Sequence, residues 1–350
     1  MGGVDLPVVP PLAPMLATAA AAVPTEAGRW CYQPKWDGFR AVVFRDGDEV
    51  VVQSRSGKDL GRYFPELLAA LRTQMAARGV LDGEIVVPRR RDGRTRLDWE
   101  ALSQRIHPAA SRVALLAEQT PAHFIAFDAV ATGQTALLDA PLTVRARALA
   151  ALLCPVPPET RRCHRSTATD DPAVAAHWLA TFEGAGLDGV IAKRRDGPYR
   201  PGRRDMVKVK HRRDADCVAM GYRLHKSGEG LGSLLLGLYT DDGRLQMVGG
   251  AAAFRASQRR ALLDELAPLR LGADVVRDGE ASRWNSAADK RWVPIRPERV
   301  AEVAYDQMEG ARFRHTVRFV RWRPDKDPAD CTFAQLDVPL AYDLADVLEP

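Results

Sequence analysis

Apolar and polar positions along the chain fall into two unlike patterns. In "AVVFRDGDEVVVQS" (41–54) two β-rich runs flank Asp46-Gly47, which predicts a hairpin. "FPELLAALRTQMAARG" (64–79) puts Leu67, Leu68, Leu71 and Met75 on one helical face, with Gly79 as the expected stop. "VLDGEIVV" (80–87) and "HFIAFDAV" (123–130) predict strands, the second apolar enough to be buried. "DPAVAAHWLATFEGAG" (171–186) predicts a helix with Asp171 as N-cap, Pro172 at its first position and a glycine stop. "GVIAKRR" (189–195) returns as a strand. The expected class is α+β with antiparallel pairing, not a regular βαβ repeat. From about residue 215 strands dominate: "CVAMGYRL", "GSLLLGLYTDDGRLQMVGG" with a hairpin at Asp242-Gly243, and "RVAEVAYDQM". One helix near Ser257–Leu266 interrupts them, a content that fits a small barrel such as an OB-fold. Segment 270–298 is polar and irregular and is expected to be a long loop. The expected domains are 1–210 and 211–350.

Composition adds a partner class. A chain of 350 residues, 46% hydrophobic and 27% charged, suits a globular protein of two domains. Its net charge of +5 is unevenly spread. Residues 200–214 carry seven basic against two acidic side chains, and residues 312–326 carry six against Asp325. Two local clusters suit a polyanion, although two solvated faces would look the same from charge alone. Five cysteines without a CxxC pair point to reduced thiols in a cytosolic protein and to no zinc site. No Lys or Arg precedes Arg29, so "APMLATAAAAV" (13–23) lacks the basic flank of a signal peptide, and no apolar run approaches a membrane span.

Lysine is the scarce base: eight of the 50 Lys and Arg residues. A lysine that attacks as a nucleophile must shed its proton, which from a reference pKa near 10.4 costs about 4 kcal/mol at neutral pH. Neighbouring cations or a metal lower that cost, and arginine, always charged, cannot do this work. Lys35 in "KWDGFR" (35–40) therefore draws notice, although alone it equally fits a surface lysine beside a turn glycine. Lys208 and Lys210 alternate in "VKVK", so both point to one face of a strand. Alone they would suit an exposed edge strand. Lys193 ends "GVIAK" and Lys326 lies in "RPDK". Converging lysines make a phosphate site. Glu84 inside an apolar strand and Asp188 at the start of another could hold a ribose hydroxyl or a divalent metal. Phe127 suits either the core or a base-stacking position.

Taken in order, these stretches resemble the covalent nucleotidyltransferase superfamily, and within it the ATP-dependent DNA ligases. "KWDGFR", "SRSG" (54–57), "LDGEIV" (81–86), "FIAFDAV" (124–130), "GLDGVIAKR" (186–194), "VKVK" (207–210) and "RWRPDKDP" (321–328) match seven ordered motifs across nearly the whole chain. "GSLLLGLY" and "GARFRHTVRFVRWRPDKDP" most resemble the two-domain bacterial ligase C type, related to the ligase module of ligase D. The resemblance implies a two-domain nucleotidyltransferase, with ATP-grasp-like antiparallel sheets and helices followed by an OB-fold β-barrel. By position, Lys35 attacks the α-phosphate of ATP to form lysyl-AMP. Arg40 and Glu84 hold the ribose, Phe127 stacks on adenine, Gln33 is a further nucleotide-binding position, and Arg55 contacts the nick 5′-phosphate or the nucleotide. Lys193, Lys208 and Lys210 grip the α-phosphate. Asp188, Glu84 and Asp37 are the carboxylates for Mg²⁺ or Mn²⁺. Arg323, Asp325 and Lys326 orient the leaving pyrophosphate.

The implied substrate is nicked duplex DNA, met by a cytoplasmic, nucleoid-associated bacterial monomer in DNA repair, with Ku or primase-polymerase proteins as partners. With no large N-terminal DNA-binding domain before the catalytic core, binding is expected to be weak and salt-sensitive. The chain departs from the family at Gln33 and Asp188, where glutamate is usual, and at Asp205-Met206-Val207, where an aromatic is usual. Two alternatives remain open at this point: an RNA ligase or mRNA capping guanylyltransferase of the same superfamily, and a nucleic-acid-binding module without catalysis.

Overall fold

The computed structural model describes residues 4–91, 93–182, 187–211, 213–272, 275–277, 291–336, 343–344 and 347–348. The chain divides into two compact units, residues 1–211 with 338–350, and residues 212–337. Leu344 and Val347 pack with Trp30 and Tyr32 of the first unit.

The strands of the first unit are β1 (Leu16–Ala19), β2 (Trp30–Pro34), β3 (Phe39–Asp46), β4 (Glu49–Ser54), β5 (Arg78–Val86), β6 (Pro88–Arg91), β7 (Arg94–Leu97), β8 (His123–Thr132), β9 (Thr135–Ala136), β10 (Cys163–Arg165), β11 (Gly189–Arg194) and β12 (Arg204–Lys210). One sheet has the order β1-β12-β11-β2, the other β10-β8-β5-β3-β4 with β9 beside β8. Pairing is antiparallel except β1 with β12 and β10 with β8. The "VKVK" strand is therefore interior, not an edge, because β1 lies along its other side.

Burial on both faces explains the continuous apolar run of β8. Phe124 and Ala126 face a cluster with Phe64, Leu67 and Leu71, beneath the helices Pro65–Gln74 and Leu142–Leu152. Ile125 and Phe127 face Trp30, Tyr32 and Val190 of the other sheet. The hairpin forms as expected, with Asp46 opposite Glu49 and Gly47 at φ +63°. The helix expected over 64–79 stops earlier, at Gln74. Gly79 instead sits inside β5, where an added Cβ would press on a Leu152 methyl. Helix Pro172–Thr181 begins as expected, Asp171 accepting from the Ala173 N–H at 2.7 Å. Its expected glycine stop lies outside the described residues.

The second unit contains β13 (Arg213–Leu224), β14 (Leu231–Tyr239), β15 (Leu245–Ala251), β16 (Val293–Pro294), β17 (Val300–Tyr305), β18 (Met308–Glu309), β19 (Arg312–Phe313) and β20 (Arg318–Trp322). The main sheet runs β15-β14-β13-β17-β20, all antiparallel. A parallel bridge from Ala251 to Val317 joins its two outer strands, as in a five-stranded OB barrel. Helix Ala256–Leu266 lies between the third and fourth strands in sequence and buries Leu262 and Leu266 in the barrel core. Of the segment expected to be a long loop, Val293–Pro294 pairs with β13 and Arg277 bridges Trp292; residues 273–274 and 278–290 lie outside the described residues. All five cysteines are free. No described helix is long and apolar enough to cross a membrane.

Candidate active site

A cleft in the first unit opens between the two sheets. Gln33, Lys35, Arg40, Arg55, Glu84, Phe127, Lys193 and Lys208 all line it, drawn from six separate stretches of sequence. Lys35 arrives on the residue after β2. Its N–H donates to the Gly189 carbonyl at 2.8 Å and its carbonyl accepts from the Asp188 N–H at 2.9 Å, so the two motifs are zipped together. Gly189 has φ +135°, and a Cβ there would overlap the Val209 carbonyl of β12. Only glycine permits that approach.

The Lys35 ammonium lies 2.6 Å from Asp188 Oδ2, and the Lys210 ammonium 3.2 Å from the same oxygen. Burial pushes the Asp188 carboxyl up, but the two lysines outweigh it and hold it below the ordinary range. Lys208, opposite Ile191 in the ladder, shares a face with Lys210. Burial, then the Lys210 and Lys35 charges, draws its ammonium below the usual value. Asp188 and Lys210 stand at the edge of this group rather than in the cleft lining, as does the half-buried Asp37.

The cleft floor rests on a β-bulge. Asp82 of β5 pairs with Asp128 of β8, but Gly83 pairs with Ala126, leaving Phe127 as the extra residue. A bulge re-aims a side chain and interrupts the ladder. The Phe127 carbonyl accepts from Lys193 Nζ at 2.8 Å and from Gln33 Nε2 at 3.3 Å. Two cations lie over the Phe127 ring, the Arg40 guanidinium carbon 4.4 Å and Lys193 Nζ 4.9 Å from its centroid.

The bulge also sets two buried aspartates opposite each other, and each has its own cations. Asp128 takes Lys193 at 3.1 Å and Arg145 at 2.7 Å, all three nearly inaccessible. Burial alone would raise the Asp128 carboxyl; Lys193 and Arg145 hold it below its usual value. Burial lowers Lys193, more than Asp128 raises it. Asp82 takes both Arg40 Nε and Nη2 at 2.6 Å and accepts from the Tyr199 hydroxyl at 2.7 Å. That hydroxyl accepts in turn from the Met15 N–H at 3.1 Å, tying the segment before β1 to the floor. Met15 and its neighbours through Ala17 form part of the cleft wall.

Glu84 faces Arg40 across the ladder. Burial raises its carboxyl to about 7, against the pull of Arg40 and Lys35. Between its ordinary 4.5 and 7 the unfolded chain gives up this proton before the folded one does. Glu84 therefore contributes stability that is fully present below 4.5 and is lost as pH rises to about 7. Glu84→Gln is expected to gain stability relative to the unsubstituted protein as pH rises through that window. Urea unfolding of both proteins across it checks this; identical pH profiles would refute it.

No group of three His, Cys, Asp or Glu suited to an ion exists among the described residues. Asp188 is committed to two lysines, while Glu84 stands on another strand beside Arg40. Arg323, Asp325 and Lys326 belong to the second unit. There Arg323 pairs with Asp325 at 2.8 Å and with Asp216 at 3.1 Å, and Lys326 reaches Asp216 at 3.3 Å. The Arg323 hydrogen bond holds Asp325 down to about 2. Sequence reasoning missed Asp82, Asp128, Arg145, Tyr199 and Asp216. The signal for the first two was a carboxylate inside an apolar strand, which demands a buried partner.

Residues 10–210 match the family model of the ATP dependent DNA ligase domain, and residues 227–326 that of the ATP dependent DNA ligase C terminal region. The chain is 68% identical over 350 residues to DNA ligase C1 of Mycolicibacterium smegmatis, with 99% of each covered. It is 50% identical over 360 residues to DNA ligase C of Mycobacterium tuberculosis, covering 98% of this chain and 99% of that one. A solved structure from a study of Lig E DNA ligases has a TM-score of 0.53 at 18% identity, covering 88% of this chain and 99% of the other, a likeness of fold.

Proposed function

The chain belongs to the ATP-dependent DNA ligases of the bacterial ligase C type, and from that premise we propose that its cleft is the adenylation site, with Lys35 as nucleophile. The observation that carries this is the seating of Lys35 on the cleft wall, zipped to Asp188 and Gly189 at the start of the strand that bears Lys193. A DNA ligase of this type seals 5′-phosphate/3′-hydroxyl nicks. The neutral Lys35 nitrogen bonds to the α-phosphorus of ATP as the bond to pyrophosphate breaks. AMP then moves to the nick 5′-phosphate, and the 3′-hydroxyl displaces it to form the phosphodiester. Because in-line phosphoryl transfer is helped chiefly by positioning and charge, a cleft rich in fixed cations suits it.

Within the cleft, Phe127 offers its ring to adenine and Gln33 meets the base edge. Arg40 and Glu84 hold the ribose, and Arg55 meets a phosphate. Lys208 and Lys210 take the α-phosphate. Lys193, expected there too, has its ammonium held by the Phe127 carbonyl and Asp128, so it supports the base platform first. Arg323, Asp325 and Lys326 retain the pyrophosphate role that the resemblance implies. Magnesium is commonly held by one or two carboxylates plus substrate phosphates, so Asp188, with Glu84 or Asp37, fits Mg²⁺ or Mn²⁺ without a protein-only cage. Such an ion would neutralise phosphate charge.

We also propose a cytoplasmic, nucleoid-associated monomer acting in repair with Ku or primase-polymerase proteins. A deletion strain with unchanged survival under every damage condition would count against the repair role. The activity test uses labelled ATP or GTP, followed by a chase with nicked DNA or RNA. The expected result is protein labelled by ATP and a label released as nicked DNA is sealed; labelling by GTP alone overturns the reading.

A further inference from the structure

The strand that carries Glu84 does not end at the cleft. After Val87 the chain continues into the two-stranded ribbon of β6 and β7. Residues 88–97 hold five arginines against Asp92, a basic cluster as dense as the two visible in the charge distribution. The ladder sets Arg89 opposite Arg96 and Arg91 opposite Arg94, with Arg90 opposite Thr95. Arg89, Arg94 and Arg96 therefore share one face of the ribbon. At its base Leu97 packs against the cluster of Trp30 and Tyr32.

Like charges directly across a ladder destabilise it, so folding does not ask for this arrangement. Arg89 is relieved by Asp98 at 3.2 Å. The Arg90 and Arg96 side chains make no hydrogen bond or ion pair among the described residues. Arg90 is exposed and Arg96 partly so. The ribbon holds no lysine, whereas the cleft is lined by three, Lys35, Lys193 and Lys208. Guanidinium forks suit bidentate contact with phosphates that need no proton transfer.

We propose that the 88–97 ribbon is a clamp for the phosphate backbone of the duplex flanking the nick, reading charge rather than sequence; this rests on the ligase reading of the cleft. Six residues separate Glu84 from Arg90, a contour of at most about 20 Å at 3.3 Å per residue. Duplex advances 3.4 Å per nucleotide, so the ribbon reaches no further than about six base pairs from Glu84.

The test compares Arg89→Gln/Arg96→Gln, directly opposite each other on that face, with a matched control, Arg112→Gln/Arg147→Gln, which removes two exposed charges from helices of the same unit. Binding of nicked duplex is measured across a salt titration. The ribbon variant should lower the salt slope by about 1.8 (two contacts at 0.9 each) and weaken binding on the order of tenfold at 0.1 M salt. Lysyl-AMP formation from ATP alone should be unchanged. The difference should be fully developed with duplex arms of about six base pairs, and longer arms should not enlarge it. A ribbon variant with unchanged slope and affinity overturns the clamp, as does a control that loses as much or a ribbon variant that fails to adenylate. If the unsubstituted protein neither labels with ATP nor seals, the ligase reading itself has failed and the clamp falls with it.

Discussion

Lys35→Ala is expected to lose all transfer of AMP from ATP to protein, on the order of 10⁴-fold or more, equivalent to about 5.4 kcal/mol of barrier. The loss should be chemical rather than structural. Lys35 is partly exposed, and Lys210 still faces Asp188 when it is removed. Lys35→Arg sharpens the test, because it keeps a cation near Asp188 but cannot deprotonate. It should be as inactive as the alanine variant. Both variants should still seal a nick supplied with AMP already on its 5′-phosphate, since that step needs no lysyl bond. Labelled ATP followed by gel analysis reads the first step, and pre-adenylated nicked DNA reads the last. Wild-type labelling by either variant would remove Lys35 from the mechanism.

Asp128→Ala should act through folding. It leaves Lys193 and Arg145 buried without their carboxylate, and breaking a buried ion pair from one side costs about 3–5 kcal/mol. In a unit of this size that is a drop in Tm of about 6–20 °C. The Phe127 platform should also loosen, because Lys193 holds its carbonyl, so ATP should bind more weakly in whatever fraction stays folded. Thermal unfolding with and without ATP reads both effects. Stability within about 1 kcal/mol of the unsubstituted protein would show that Asp128 does not anchor this floor.

The chemistry of the cleft was legible where a residue type was itself unusual. Lysines in an arginine-rich chain and a glutamate inside an apolar strand each require a physical reason, and Lys35, Lys193, Lys208 and Glu84 all line one cleft. What those side chains rest on was not legible. Asp128 and Arg145 stand 17 residues apart on a strand and a helix, and nothing local links them. The bulge at Phe127 is a property of two strands in register, invisible in either alone. The glycine expected to stop a helix lies in a strand, paired with Arg45 and Thr132, where a Leu152 side chain packs against it. The arginine ribbon was overlooked for another reason: its charge is in plain sight, but only cross-strand pairing puts Arg89, Arg94 and Arg96 on one face.

By itself, then, the sequence determined the elements, the barrel-like second half, the scarce lysines and the family to which they belong. These depend on local periodicity and residue chemistry, which a chain carries residue by residue. Only the tertiary structure decided that β12 is interior, that Lys193 supports a carbonyl and that Asp188 joins two lysines. It also decided that two opposed aspartates each have their own cations. Those outcomes depend on which strands pair and in what register, and such choices are made by burial and charge neutralisation across long separations in the chain.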